Sequence, residues 1–451
     1  MKKQISELAY KIVTAVRNER IVETLREIKK NEFLSKSLLE EIRIIKAKNL
    51  IVYAKQNVQF YKDTITEQPS NIKKMSKEEF KDFWKTLKIV TKDDVIKNKK
   101  YFISEKIEEF KCYPDKTSGS TGTPLYLQLN SSCWGLRHAR EMQVKEWHKI
   151  ENGEKYALFW GQHWSKRAKI ENVVRDFLLN RIRISAFCQS KNYLEESYKR
   201  IIKFKPSYLM GYPSAIFDFC SFLKSLNKDL KELNLKAVIT TAEPLRDYQR
   251  EVISEVCDCN VASQYGGAEQ GFVACECEKG GFHVFSDTVW FEDENGDTIG
   301  GKFSEAIATD LQLYSMPLIR YRTGDEVVFS DKMCQCGRGY PLIEKVEGRC
   351  GEDIILPNGV KVNTNLPSYI FKNIAKDGLI RRYRFVDKND GFLYLYVVPT
   401  DRYDLKTEAF LFKEIKKAFG EDIKVIIEKV EALENLPNAK HRDYIKIKNE
   451  L

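Results

Sequence analysis

Apolar residues recur every three or four positions near the start of the chain: Ile5, Leu8, Ile12, Val13 and Val16, then Ile21, Leu25 and Ile28. That spacing lays them along one face of a 3.6-residue turn and predicts amphipathic helix. Leu38, Leu39, Ile42, Ile45 and Leu50 continue the helical lead-in to about residue 60. From about residue 110 the pattern breaks into short continuous apolar runs. The runs 156–161 (YALFWG), 207–212 (SYLMGY) and 235–242 (LKAVITTA) predict buried strands, with helices over 190–203 and 213–226 between them. Strands alternating with helices predict an α/β core built on parallel sheet.

Beyond about residue 282 strands dominate: HVFSDTVWFEDENGD, EAIATDL and GDEVVF follow in order, and ENGD carries the polar turn residues of a hairpin. The last hundred or so residues hold FLYLYVV (392–398), a charged helix (405–418) and KVIIEKV (424–430), a small α+β unit. The expected class is α/β: a large N-terminal domain of β-sheets flanked by helices, residues 1–347, and a small α+β C-terminal domain, residues 348–451.

Composition narrows the function classes. A chain of 451 residues, 43% hydrophobic and 12% aromatic, is long enough for more than one domain and too rich in aromatics for disorder. The formal charge of +10 comes from 75 basic against 65 acidic residues, scattered and interleaved. With no basic-aromatic stripe, nucleic acid is not an expected partner. No run reaches the ~18–20 apolar residues of a membrane span, and MKKQISELAYKIV lacks the apolar stretch of a secretory signal. A cytoplasmic location is expected, with the 11 cysteines reduced, ligating or buried.

The densest local signal is Thr117-Ser118-Gly119-Ser120-Thr121-Gly122, followed by Thr123 and Pro124. Glycines let backbone N–H groups approach a phosphate, and hydroxyls donate to its oxygens. No Gly-Lys-Ser/Thr follows, so this is not a Walker loop. Further on, Tyr265-Gly266-Gly267-Ala268-Glu269 sets a carboxylate beside glycines, a setting for a hard cation. The stretch from Arg320 to Asp325 ends in Gly-Asp; two carboxylate oxygens match a vicinal diol. Cys275, Cys277, Cys334 and Cys336 form two Cys-x-Cys pairs, with His283 between them. In a reducing compartment such pairs favour tetrahedral Zn²⁺ over a disulfide, and four of these five residues would close a structural site. Cys257 and Cys259 read as core cysteines. No histidine sits in a nucleophile–base pattern, so a hydrolytic triad is not supported.

The segment 117–124 resembles the phosphate loop of the adenylate-forming superfamily, and most closely the phenylacetate–CoA ligase branch with its CapK-like relatives of capsular polysaccharide biosynthesis. The likeness continues in order through NLIVYAKQNVQFYKD (49–63), LKIVTKDDV (87–95), FKPSYLMGYPSAI (204–216) and VITTAEPL (238–245), covering roughly residues 46–445. It implies ATP and Mg²⁺ as cofactors. Tyr265 would lie near adenine with Gly266 and Gly267. Ala242, Glu243 and Pro244 would form the adenine edge, Glu269 would reach Mg²⁺, and Asp325 would hold the ribose hydroxyls. Gly348-Arg349 begins the family's hinge motif, Arg349 contacting ribose or phosphate. The usual acidic places hold Gly351 and Glu352, leaving Glu352 or Asp353 as pivot. Lys440, after Leu436-Pro437-Asn438-Ala439, matches the catalytic lysine of a mobile C-terminal domain. Trp160 and Tyr212 are candidate walls of the acid pocket.

The resemblance implies that a carboxylic acid is activated as an acyl-AMP and passed to coenzyme A. Two alternatives stay open: an amide ligase acting on an amino sugar or amino acid, and a nucleotide-binding homologue without turnover. The relatives' frequent dimers make a homodimer a further expectation.

Overall fold

The computed structural model describes residues 20–117, 124–161, 166–188, 190–298, 300–349, 354–362, 370–371, 378–434 and 442–447. The architecture is mixed α/β, with a large mixed sheet and a small C-terminal sheet. The chain divides into two compact units, each drawn from separated stretches. One takes residues 4–152 and 264–350; the other takes mainly 153–263 and 351–451. Among the described residues no helix is long and apolar enough to cross a membrane.

Among the described residues the first unit opens with helices Ile21–Asn31 and Lys36–Asn57, part of the expected helical lead-in; Ile5, Leu8, Ile12, Val13 and Val16 lie outside the described residues. Helix Lys77–Thr86 starts at a capping box: Ser76 accepts from the Glu79 amide, and the Glu79 carboxylate accepts from the Ser76 amide. Its Trp84 stacks on Trp290 with ring centroids 4.1 Å apart. Both indoles donate to the buried carboxylate of Glu292, at 2.9 Å from Trp84 to Oε1 and 2.9 Å from Trp290 to Oε2. Arg320 completes the group, its Nε 2.9 Å from Glu292 Oε1. Its Nη1 donates to the carbonyls of Lys85 at 2.7 Å and Leu87 at 3.0 Å. These lie at the end of helix Lys77–Thr86, where carbonyls lack helical partners. The antiparallel strands of this unit include Gly271–Glu276, Phe282–Val284, Val289–Glu292, Phe303–Asp310, Tyr321–Ser330 and Leu342–Arg349.

The second unit carries the parallel strands, in the order Arg181–Ser185, Tyr156–Trp160, Tyr208–Gly211, Ala237–Thr241. Gly211 has φ +147°, and a Cβ there would stand 2.0 Å from the Phe159 carbonyl oxygen, so only glycine fits beside the neighbouring strand. Helix Pro213–Ser225 is buried from Pro213 to Leu223, without a solvent face. The small sheet runs Val425–Lys429, Leu393–Pro399, Ile380–Asp387, Tyr444–Lys446, with helix Leu405–Phe419 beside it. One hydrophobic core joins these elements, from Phe159 and Phe219 to Phe385, Leu395 and Phe419.

A buried charge cluster sits in that core. Asp218, 2% exposed, faces Arg381 at 3.6 Å and Arg382 at 3.3 Å. Consecutive strand residues normally point to opposite faces. Here the register of Ile380–Asp387 slips between Ile380 and Arg382, and such a bulge re-aims a side chain. Both guanidiniums therefore reach one carboxylate.

Candidate functional site

Strand Asn260–Gly267 turns through residues 268–270 into strand Gly271–Glu276. The turn is built on glycines because the two backbones nearly touch: a Cβ on Gly266 would lie 2.2 Å from the Gly271 carbonyl oxygen. The pairing slips between Tyr265 and Gly266. Tyr265 points at strand Tyr321–Ser330, where its hydroxyl donates to Asp325 Oδ2 at 2.9 Å. Burial, then the neighbouring Asp325 charge, pushes the Tyr265 hydroxyl well above its ordinary pKa, so it stays a donor. Asp325 follows Gly324, which has φ +77°, and its amide donates to Thr323 Oγ1 at 3.1 Å. In register, Asp325 pairs with Arg349 at the end of strand Leu342–Arg349.

Glu269 sits on the turn, half-buried, and its Oε1 accepts from the Tyr321 hydroxyl at 3.3 Å. Burial raises its pKa; the Tyr321 hydrogen bond and the charges of Lys92 and Arg137 oppose that rise. A partly desolvated carboxylate on a glycine turn suits Mg²⁺, which takes one or two protein carboxylates and fills its shell with phosphate and water. Residues 265–269 and 320–325 thus meet directly: Tyr265 reaches Asp325, and Tyr321 reaches Glu269. Arg320, by contrast, is turned into the Glu292 cluster and holds the fold.

Of the loop 117–122, only Thr117 is among the described residues; Ser118, Gly119, Ser120, Thr121 and Gly122 lie outside them, as does Lys440. Thr117 closes the neck of the loop: its amide donates to the Leu125 carbonyl at 2.9 Å, and its Oγ1 accepts from the Leu125 amide at 2.9 Å. The neck continues strands Cys112–Lys116 and Tyr126–Asn130, paired antiparallel.

In the other unit, Ala242 follows strand Ala237–Thr241 with φ +71°, a left-handed conformation uncommon for a residue with a Cβ. Beside it Glu243 Oε2 accepts from the Ser214 amide at 3.3 Å, and Pro244 follows. Trp160 and Tyr212 end neighbouring segments and pack with ring centroids 4.4 Å apart. Tyr212 is 4% exposed and Trp160 half-buried.

Four of the five candidate metal ligands converge. The donor atoms of Cys277, His283, Cys334 and Cys336 all lie within 4.8 Å of one another. Cys277 and Cys334 place their Sγ atoms 3.6 Å apart, and Cys336 Sγ is 3.1 Å from His283 Nε2. Cys275 stands outside the group, buried, its Sγ 3.6 Å from the Glu276 carbonyl. Each Cys-bearing turn has a left-handed glycine, Gly280 at φ +79° and Gly337 at φ +80°. A Cβ on Gly281 would sit 2.5 Å from Cys334 Sγ and 3.1 Å from His283 Nε2. His283 Nδ1 is 3.3 Å from the Tyr340 carbonyl; donating there leaves the Nε2 lone pair facing the cysteines. Burial holds the His283 pKa down to about 4, so the ring is neutral. Three sulfurs, one imidazole nitrogen and an outer hydrogen bond fit tetrahedral Zn²⁺. Elsewhere Cys257 is core, its Sγ 3.9 Å from buried Cys220.

Sequence reasoning missed Arg137. It lies on helix Ser131–Trp147, and its Nη2 donates to the Ala268 carbonyl at 2.8 Å, one residue before Glu269. No motif surrounds it, and only the distance across the fold reveals it.

No protein-family model matches the chain. It is 26% identical over 398 residues to Protein CapK of Staphylococcus aureus, a match covering 86% of this chain and 85% of that one. To the phenylacetate-coenzyme A ligase of Thermus thermophilus it is 27% identical over 265 residues, 56% of each chain. The fold matches 2-hydroxyisobutyryl-CoA ligase in the postadenylation state with R3-HIB-AMP at TM-score 0.74 and 16% identity, covering 93% of this chain and 92% of that one. The chain is thus a distant homologue of CapK and phenylacetate–CoA ligase, with the fold of an acyl-CoA ligase.

Proposed function

We propose that this chain is an ATP-dependent ligase that converts a carboxylic acid to its acyl-AMP and transfers the acyl group to coenzyme A. The observation that carries the reading is the meeting of two distant carboxylate motifs within one unit: Tyr265 on Asp325 and Tyr321 on Glu269. Asp325 is assigned to the ribose hydroxyls, for which a carboxylate has two acceptors. Glu269 is assigned to Mg²⁺, which neutralises phosphate charge when bound. Residues 117–122 cradle the phosphates, Tyr265 lies by the nucleoside, Ala242 to Pro244 form the adenine edge, and Arg349 contacts ribose or phosphate. Trp160 and Tyr212 wall the acid. In the first step a carboxylate oxygen of the acid attacks the α-phosphorus and pyrophosphate leaves; the ammonium of Lys440 offsets the charge building on the phosphoryl group. In the second, the acceptor sulfur attacks the acyl carbon, loses its proton and releases AMP.

Cys277, His283, Cys334 and Cys336 hold a structural Zn²⁺ in this reading. With four protein ligands such an ion would have no open position and would take no part in either step.

The test is pyrophosphate exchange into ATP across aryl, fatty, amino and uronic acids, followed by mass spectrometry with coenzyme A or an amine. Acid-dependent exchange and an acyl-CoA product are expected. An amide product with no thioester would reassign the acceptor. ATP binding with no acid-dependent exchange would leave a homologue without turnover and overturn the proposal.

A further inference from the structure

The turn that carries Glu269 is held from outside its own hairpin. Arg137 donates from Nη2 to the carbonyl of Ala268, inside the turn, at 2.8 Å. The same guanidinium faces two carboxylates: Asp310 at 3.8 Å and Asp115 at 3.7 Å. Asp310 ends strand Phe303–Asp310 and is fixed in turn, its Oδ1 accepting the Gln312 amide at 2.9 Å and its Oδ2 lying 3.2 Å from Cys133 Sγ. Asp115 belongs to strand Cys112–Lys116, whose extension is the neck at Thr117. The packing leaves no slack. A Cβ on Gly271, which closes the turn with φ +68°, would stand 3.0 Å from Asp310 Oδ2 and 3.2 Å from Arg137 Nε.

Arg137 therefore touches the stem of the 118–123 segment on one side and the Glu269 turn on the other. Its two carboxylate neighbours compensate its charge, which argues against an anion-binding role. A planar fork that grips a carbonyl and faces two carboxylates fixes relative position, which a flexible ammonium does poorly.

We propose that Arg137 is the positioning residue that sets Glu269 against the stem of the 117–122 loop, and that it thereby controls how strongly magnesium strengthens nucleotide binding. The inference rests on the assignment of Glu269 to Mg²⁺ made above. Sub-ångström placement of a ligating carboxylate by outer-shell contacts is worth roughly 10- to 100-fold in metal affinity.

The experiment is calorimetric titration of ATP, with magnesium and with EDTA, into wild type, Arg137→Met, Arg137→Lys and Asp115→Asn. Thermal unfolding of each apoprotein is recorded in parallel. The readout is the ratio of the two affinities, which is independent of turnover and of the fraction folded. Arg137→Met is expected to cut the magnesium enhancement about 10-fold or more, with ATP–EDTA binding within about 3-fold of wild type. Arg137→Lys should recover part of it by reaching the Ala268 carbonyl. Asp115→Asn, at a partly exposed position, should fold even if Arg137→Met does not, and should lose about 3-fold. An unchanged ratio in the folded variants, with only a lower melting temperature, makes Arg137 a stability residue and overturns the inference. If wild type itself shows no magnesium enhancement, the Glu269 assignment fails first.

Discussion

Tyr265 and Asp325 meet at 2.9 Å across two strands, and each stands where its strand slips out of register. Pairing shifts between Tyr265 and Gly266 on one strand and between Asp325 and Glu326 on the other. A bulge turns a side chain out of the regular alternation. The two slips belong to different strand pairs, and the phenol and the carboxylate meet through their side chains. Asp325→Ala is expected to raise the ATP KM about 100-fold or more, since each hydrogen bond to a charged acceptor is worth about 1.5–3 kcal/mol. Tyr265→Phe should raise it about 5- to 20-fold with kcat less affected. Steady-state kinetics in ATP at saturating acid reads both.

The cysteine cluster predicts one zinc per chain. Elemental analysis of purified protein should find it, and chelation should lower the melting temperature, because metal binding to a site formed by folding stabilises the fold. Cys277→Ser and Cys334→Ser should lose the metal. Cys275→Ser should keep it, since its sulfur lies outside the group of four. Equal metal loss from Cys275→Ser and Cys277→Ser would refute the assigned ligand set.

Asp218 answers two arginines at a buried position. Removing one partner of a buried ionic group costs about 3–5 kcal/mol, because the remaining charge stays uncompensated. Asp218→Ala should therefore loosen the packing of Ile380–Asp387 on helix Pro213–Ser225, seen as faster hydrogen exchange in both segments. Arg381→Met paired with Asp218→Ala should restore part of the loss. Non-recovery would mean that the carboxylate serves some other partner.

Arg320 makes a prediction that separates structure from nucleotide binding within one motif. Arg320→Met removes the guanidinium hydrogen-bonded to buried Glu292 and frees the carbonyls of Lys85 and Leu87. A loss of about 3–5 kcal/mol in denaturant unfolding is expected. ATP affinity of the folded fraction should change far less than in Asp325→Ala. The reverse ranking would move Arg320 into the nucleotide site.

Much of this was legible in the chain because the signals were local. Tyr156–Trp160, Tyr208–Gly211 and Ala237–Thr241 are short apolar runs, and they became the parallel strands. Arg181–Ser185 escaped because RIRIS is short and only Ile184 in it is buried. Helix Ser131–Trp147 escaped because its inward face carries Arg140 and Gln143, both 0% exposed, which break the apolar period. In the site, Tyr265, Glu269 and Asp325 announce themselves through flanking glycines. The grip of Arg137 on Ala268 and the bulge that re-aims Arg381 exist only through space, so no spacing encodes them. The ligand set was half-legible: the pairs were plain, but which of Cys275 and Cys277 faces His283 and the distant pair depended on where strand Gly271–Glu276 stops.

The proposed function requires residues 265–269 and 320–325 to form one nucleotide site. Its most direct measurement is a crystal structure with ATP and magnesium bound. Ribose hydroxyls are expected on the Asp325 carboxylate and a magnesium ion on Glu269, with the phosphates running toward residues 117–122. Nucleotide bound away from Asp325 and Glu269 would contradict it.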